Sequence, residues 1–299
     1  MSLSTPFEEI LVDYLKHKRY SDRTIELKLI FANRFADWLQ NENIAIVDCS
    51  YTDVLSFLRQ LRKDGHTIAN QNVHLNAIRH LYKGLIRQGQ ATYNPVSNLF
   101  VKGHVHRLPH NILSKEQLQK IYEGFSAQNH YQLRNKVILG LYINQGLIRA
   151  EMNRLETSDI NLIKGTIRIR KNIKLRERTL LLAASQVLML QEYIKNIRPQ
   201  MIKQSAQAKG DKLFFSYGNG QTVDEGLRQL LKTLKKKHPE LTSLHQIRSS
   251  VLAHWIKEKP IREVQYMAGH LHLRSTQRYR EINLQDLQES LNEFHPLKK

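Results

Sequence analysis

The chain has 299 residues, enough for one or two domains that each bury a core. Its 46 Lys and Arg against 27 acidic residues leave a net charge of +19, an excess that favours a polyanionic partner. A single cysteine, Cys49, excludes an internal disulfide and a Cys-based zinc site and fits a reducing cytosol, while the lack of an apolar run of about 18 residues argues against a membrane span.

Met1 to Glu9 lacks the charged-then-apolar layout of a signal peptide, so a cytoplasmic protein is expected. From Phe7 to Gln88 the spacing predicts helices. Phe7, Ile10, Leu11, Tyr14 and Leu15 recur at helical intervals. Ser21-Asp22 reads as an N-cap opening a long helix with Ile25, Leu29, Ala32, Phe35 and Leu39 on one face. Tyr51-Thr52 opens a third helix that Gly65 ends. Thr67 caps a fourth, with Val73, Ala77, Ile78, Leu81, Leu85 and Ile86 expected inside. The set predicts a small bundle over residues 1–98. Arg23, Lys28, Gln71, His74, Arg79 and Lys83 are expected on its solvent-facing sides.

Asn94-Pro95 and the stretch Val101 to Asn111 break the periodicity, so residues 99–112 read as a basic linker. His104, His106 and His110 have no carboxylate or cysteine beside them to complete a ligand set, and no metal is expected. Ser114-Lys115-Glu116-Gln117 is a capping box that starts a second domain, residues 113–299. Thr166 to Arg170 and Arg178 to Leu182 read as two strands around the basic turn Lys171 to Glu177. Helices are expected at Ala184 to Arg198, Val223 to Lys236 and Leu244 to Glu258. Pro260 then starts a helix that Gly269 ends.

The chemistry gathers in the last quarter. His245 and Arg248 stand one helical turn apart. Gly269-His270 follows, and Tyr279 comes after it. A guanidinium matches phosphate oxygens as a planar fork. An imidazole donates a hydrogen bond or moves a proton near neutrality. A phenol can attack phosphorus and form a covalent intermediate.

These residues in this order resemble the tyrosine recombinase/integrase family, which includes phage integrases and the Xer recombinases. Arg262-Glu263-Val264-Gln265 before Gly269-His270, Ser275-Thr276 before Tyr279, and Phe294-His295-Pro296 near the end extend the resemblance. Gln145-Gly146-Leu147-Ile148-Arg149-Ala150-Glu151 is similar to the family's Gly-Leu-Arg-x-x-Glu element. The resemblance implies a mainly α fold with a small β-hairpin. It implies an N-terminal four-helix, SAM-like core-binding domain and a C-terminal catalytic domain. It further implies a site-specific recombinase that cuts and rejoins DNA through a 3′-phosphotyrosine, without metal, ATP or other cofactor, for integration, excision or inversion of DNA. The implied partners are double-stranded DNA with an inverted-repeat core site and a homotetramer on two such sites. The tail stripe Leu284, Leu287, Leu291 and Phe294 would dock on a neighbouring protomer. The implied localisation is the nucleoid of a bacterial or phage host.

The implied catalytic set is Tyr279, Arg248, His245 and His270, with Lys174 as the acid for the leaving oxygen and Lys171 as the other candidate. The implied DNA contacts of the first domain are Arg23, Lys28, Gln71, His74, Arg79 and Lys83. The chain departs from the family where the first arginine belongs. Ile148 stands there, and Arg149 comes one position later, a rotation of about 100° on a helix. Arg149 is the expected second cation, with Arg154, Arg168 and Arg170 as fallbacks. A non-catalytic DNA-binding relative and a type IB topoisomerase are the competing readings.

Overall fold

The structure, a computed structural model, describes residues 6–103, 111–172, 175–204, 210–216 and 222–281. The chain divides into two compact units, Met1–His106 and Arg107–Lys299.

The first unit is a bundle of α1 (Pro6–His17), α2 (Asp22–Asn41), α3 (Tyr51–Lys63) and α4 (Ile68–Arg87). Each of the last three starts where a side chain can satisfy the orphan amides of a first turn. Ser21 and Thr67 accept from Thr24 and Asn70, and Ser50 forms a reciprocal capping box with Asp53. Leu11, Leu15, Phe35, Phe57, Leu61, Leu81 and Tyr82 are fully buried and pack as one core. Burial of each such side chain contributes about 1.5–3 kcal/mol.

Three positions expected on the solvent face are inside: Lys28 on α2, whose ammonium bonds Asn76, and Gln71 and His74 on α4. Gln71 and His74 occupy the same stripe of α4 as Leu75, Ile78, Leu81 and Leu85. The Gln71 amide donates to the backbone carbonyl of His66 at 2.9 Å, and His74 Nδ1 meets the Asn70 carbonyl at 3.0 Å. The His74 ring packs on Phe31 and Phe57. Residue type misled the assignment; helical register decides it. Conversely Val73 and Ile86, expected inside, are 44% and 40% exposed. The stretch Leu99–Val101, expected as linker, is fastened to α4. Arg79 donates to the carbonyl of Leu99, and Asn72 both accepts from and donates to the Val101 backbone.

The second unit holds α5 (Lys115–Glu123), α6 (His130–Gln145), α7 (Arg149–Met152), α8 (Ala184–Glu192), α9 (Arg198–Gln204), α10 (Asp224–Lys237), α11 (Leu244–Glu258) and α12 (Ile261–Ala268). A π-helical turn, Tyr193–Ile197, joins α8 to α9. A further helix, α13, covers residues 273–281 of the described chain. Strands β1 (Ile160–Asn161), β2 (Thr166–Ile169) and β3 (Arg178–Leu181) form an antiparallel sheet in that order. The register pairs Ile167 with Leu180 and Ile169 with Arg178, so Ile167, Ile169, Arg178 and Leu180 share the buried face. Helix α6 is apolar on most sides and runs through the core, with Ile138, Leu139 and Leu141 fully buried.

The expected capping box at Ser114 and Gln117 forms, and Gly146 and Gly269 end their helices in the left-handed region at φ 57° and 73°. The expected sheet and mainly helical architecture are present. His104, His106, His110, Lys174 and the tail stripe from Leu284 to Phe294 lie outside the described residues.

Candidate active site

Helix α11 starts at the N-cap Ser243, whose hydroxyl accepts from Gln246. That start sets the rotation of the helix. Ile247 and Val251 face the core, His245 lies exposed, and Arg248 is drawn inside at 3% exposure. The Arg248 guanidinium donates to the Gly146 carbonyl, to the Ala268 carbonyl at 2.8 Å and towards His270 Nε2 at 3.3 Å. Both carbonyls belong to the glycine-ended C-termini of α6 and α12, where backbone oxygens lack helical partners. A Cβ at Gly146 would press on Leu252, Trp255 and Val251 of α11, so the close approach that delivers its carbonyl needs glycine.

Among the described residues no carboxylate pairs with Arg248. Its donors meet carbonyls and an imidazole among those residues, so the desolvation of its charge is left without an opposing ion in contact. Burial lowers its pKa, and the Glu151 carboxylate works the other way.

His270 follows Gly269 and is held on both ring nitrogens. Arg248 can only donate, so Nε2 is the acceptor and Nδ1 carries the proton that Thr276 Oγ1 receives at 2.9 Å. Burial, then the charges of Arg248, Arg178 and Arg278, push the His270 imidazole down to about 4. The ring of Tyr279, on α13, stacks on His270 with centroids 6.3 Å apart and planes 14° from parallel. Tyr279 is 7% exposed and packs with Leu252, Ala253 and Ala268. His245 meets Ser249 through Nδ1 at 3.2 Å, and burial followed by Arg248 and Arg278 lowers its pKa. His245, Arg248 and Tyr142 line one cleft of about 500 Å³, walled by Leu147, Ile148, Leu227, Leu231 and Leu244. The structure thus brings together His245, Arg248, His270 and Tyr279.

Arg149 lines the rim of the same cleft but is already engaged. Its guanidinium grips Asp224 through Nε and Nη2, both at 2.6 Å, and its side chain is 59% exposed. The one-position shift turned it away from Arg248, so the expected second cation is an ion pair of the rim. The fallbacks are also committed: Arg168 to Glu177, Arg170 to Glu156 and Asp159, while Arg154 is exposed. Lys171 is exposed.

The residue that sequence reasoning missed is Arg178. It pairs with Glu151 through two bonds of 2.7 and 3.2 Å, and neither side chain is more than 1% exposed. The signal was available: Arg178 shares the period-two face of Leu180, and Glu151 had lost the arginine expected three positions before it.

The neutral state of His270 makes stability depend on pH. An unfolded histidine titrates near 6.5. Above that pH both states are neutral and stability is full. As the pH falls from about 6.5 towards the folded value of about 4, the unfolded chain gains a proton that the folded chain refuses, and stability declines. Denaturant titrations of the wild type should show this decline, and His270→Gln should show a shallower one. Parallel declines would remove His270 as its source.

In the first unit, the charges gather on one face. Lys28 bonds Asn76 and lies over the Tyr20 ring, 5.4 Å from its centroid. Burial, then Lys28, Lys83, Arg79 and Lys18, push His80 down to about 4. Four cations, Lys28 of α2, Arg79 and Lys83 of α4 and Lys18 just after α1, therefore act on one imidazole, a field suited to a polyanion. Arg79 spends part of its donors on Val96, Ser97 and Leu99 carbonyls, and Arg23 is exposed beside Glu26.

With this geometry in hand, comparison with known proteins is decisive. Residues 111–286 match the model of the phage integrase family, and residues 7–91 match that of the phage integrase N-terminal SAM-like domain. The chain belongs to the phage integrase family. It is 26% identical over 290 residues to tyrosine recombinase XerC of Halalkalibacterium halodurans, covering 95% of each chain. It is 28% identical over 251 residues to tyrosine recombinase XerD of Oceanobacillus iheyensis, covering 83% of this chain and 82% of the other. Among solved structures, the XerH site-specific recombinase bound to a palindromic difH substrate shares the fold at a TM-score of 0.75, with 17% identity and coverage of 96% and 84%. The Tn1549 transposon integrase with transposon right-end DNA does so at a TM-score of 0.66, with 15% identity and coverage of 92% and 94%. The integrase is accordingly a site-specific tyrosine recombinase, mainly α, with its SAM-like and catalytic domains in that order.

Proposed function

We propose that the integrase cuts and rejoins duplex DNA with Tyr279 as nucleophile and no metal or nucleotide cofactor. The observation that carries this reading is the buried Arg248, which pairs with no carboxylate among the described residues, beside the stacked His270 and Tyr279. Tyr279 gives up its phenolic proton to a neutral imidazole of the site as its oxygen attacks the scissile phosphorus, and the bond from phosphorus to the 5′ oxygen breaks. The DNA 3′ end becomes a phosphotyrosine, and the leaving 5′ oxygen takes a proton. Lys174 is the donor we assign, with Lys171 as the other candidate. Arg248 stabilises charge on the non-bridging oxygens. Neutral His270 and His245 can accept or donate as the charge develops. Because the phosphotyrosine conserves the energy of the broken link, a 5′ hydroxyl from a second duplex can reverse the attack and complete an exchange.

Arg23, Lys28, Arg79 and Lys83 are the DNA contacts we assign to the first unit; their contribution is electrostatic and salt-dependent. Gln71 and His74 support that surface from inside. Integration or excision of a mobile element is the role that fits, on inverted-repeat sites bridged by a tetramer, in the cytoplasm at the nucleoid. Covalent capture from a randomised duplex library, followed by denaturation and sequencing, tests the chemistry and yields the target site. Absence of any adduct would favour a binding protein without catalysis.

The apolar tail stripe gives a separate expectation. A chain cut after Asn283 should bind one site normally but lose strand exchange by more than about tenfold, if the tail docks on a neighbouring protomer. Normal exchange by the shortened chain would refute the docking.

A further inference from the structure

Phosphoryl transfer places negative charge on two non-bridging oxygens, which one guanidinium supports incompletely. The position three before Glu151 is Ile148, half-buried and apolar. Arg149 belongs to Asp224, and Arg168 and Arg170 belong to other acids. The catalytic unit nevertheless buries two further guanidiniums: Arg134 on α6, bonded to Asn135 and the Phe215 carbonyl, and Arg178 on β3, with its side chain fully enclosed. Arg178 Nη1 and Nη2 bind Glu151, while its Nε finds no acceptor among the described residues.

The place of Arg178 ties it to the phosphate site. Glu151 also accepts the Ile148 amide at 3.0 Å, which fixes the start of α7 after Gly146 and Leu147. A Cβ on Gly269 would lie 2.5 Å from Arg178 Nη1, so the guanidinium sits directly against the turn that presents His270. The Arg176 amide donates to the Gly269 carbonyl at 2.8 Å, and Leu175 bridges to His270, so β3 is tied through its preceding residues to that turn. Glu151 pairs with Arg178, while Arg248 bonds the Gly146 and Ala268 carbonyls and feels Glu151 only through its field. The balance is one positive charge in excess, enclosed where water cannot compensate it. Arg178 is among the charges that lower the His270 pKa, after burial and Arg248.

We propose that Arg178, held by Glu151 on the strand β3, is the second cation of the phosphate site and supplies the charge that Ile148 cannot. It is a positioning residue that acts through the field at Arg248 and His270 and through the Gly269 turn. This rests on the strand-cleavage reading above.

The test compares two linkages at the captured target site, in a duplex nicked so that cleavage is irreversible. One scissile linkage is the natural phosphate; the other is a methylphosphonate, which has lost one anionic oxygen. Arg178→Met should slow phosphate cleavage by about 100- to 1,000-fold, the scale for removing one oxyanion donor. It should slow methylphosphonate cleavage by less than about tenfold, because less charge needs support. Arg178→Lys, which keeps the charge, should stay within about tenfold of wild type on phosphate. Equal slowing of both linkages by Arg178→Met would reduce Arg178 to a packing role and overturn the proposal, as would no slowing. Should that variant fail to fold around an unpaired Glu151, Arg178→Met with Glu151→Gln reads the same ratio and decides in the same way. A wild type that forms no adduct on either linkage refutes the cleavage reading, whereas an active wild type with an unshifted ratio refutes only the role of Arg178.

Discussion

Tyr279→Phe should abolish the covalent protein–DNA adduct, lowering it by more than about a thousandfold while DNA binding stays near wild type. The substitution removes one oxygen and leaves the ring, so the stack on His270 and the packing with Leu252, Ala253 and Ala268 survive. The rival nucleophile is Tyr142, which lines the same cleft as Arg248. Its hydroxyl is buried without a partner among the described residues, and burial pushes its pKa well above the ordinary phenol value. A phenol that resists ionisation and faces the core is a poor nucleophile. Tyr142→Phe should therefore form adduct within about threefold of wild type, since it removes a hydroxyl that the chemistry does not use. Denaturing gels of protein incubated with the captured duplex read both variants. An adduct from Tyr279→Phe at the wild-type level would move the nucleophile elsewhere, and loss of adduct in Tyr142→Phe alone would move it to Tyr142.

Much of this site could be read from residues because its parts are locally encoded. Ser243, Pro260 and Gly269 delimit α11 and α12, and these boundaries fix where His245, Arg248 and His270 fall. The capping box at Ser114 and Gln117 likewise marks the start of the second unit's first helix. What could not be read was pairing at a distance. Arg149 and Asp224 are 75 positions apart and meet only through tertiary packing. Arg178 and Glu151 are 27 apart and meet only when β3 lies against α7. An arginine in a strand beside a basic turn looks like surface, until its register with Ile169 places it on the inner face. Gln71 and His74 failed in the opposite sense: their polarity argued for solvent, while their spacing with Ile78, Leu81 and Leu85 argued for the core. Spacing won: the backbone carbonyls of His66 and Asn70 take one polar atom of each, while Gln71 Oε1 and His74 Nε2 stay buried without a partner among the described residues.

Arg248→Met should separate catalysis from stability more sharply than any other change. Cleavage should fall by about 100- to 1,000-fold or more, since the variant loses the guanidinium proposed to support the phosphate oxygens. DNA affinity should fall much less, because one contact among many phosphate contacts carries little of it. Stability follows a different balance. Losing the donors to the Gly146 and Ala268 carbonyls leaves two buried acceptors, at a cost of about 1–3 kcal/mol each. Losing a buried cation that no carboxylate pairs relieves a desolvation penalty of several kcal/mol, of opposite sign. The two nearly cancel, so the midpoint of denaturant unfolding should stay within about 2 kcal/mol of wild type, or rise. A protein that keeps such a charge keeps it for the anion it receives, at some expense to its own stability. Single-turnover cleavage and urea unfolding of the same preparation decide the matter. If Arg248→Met lost more than about 4 kcal/mol, the guanidinium would be a strut between the two glycine-ended helices. The site's anion would then have to be met chiefly by Arg178.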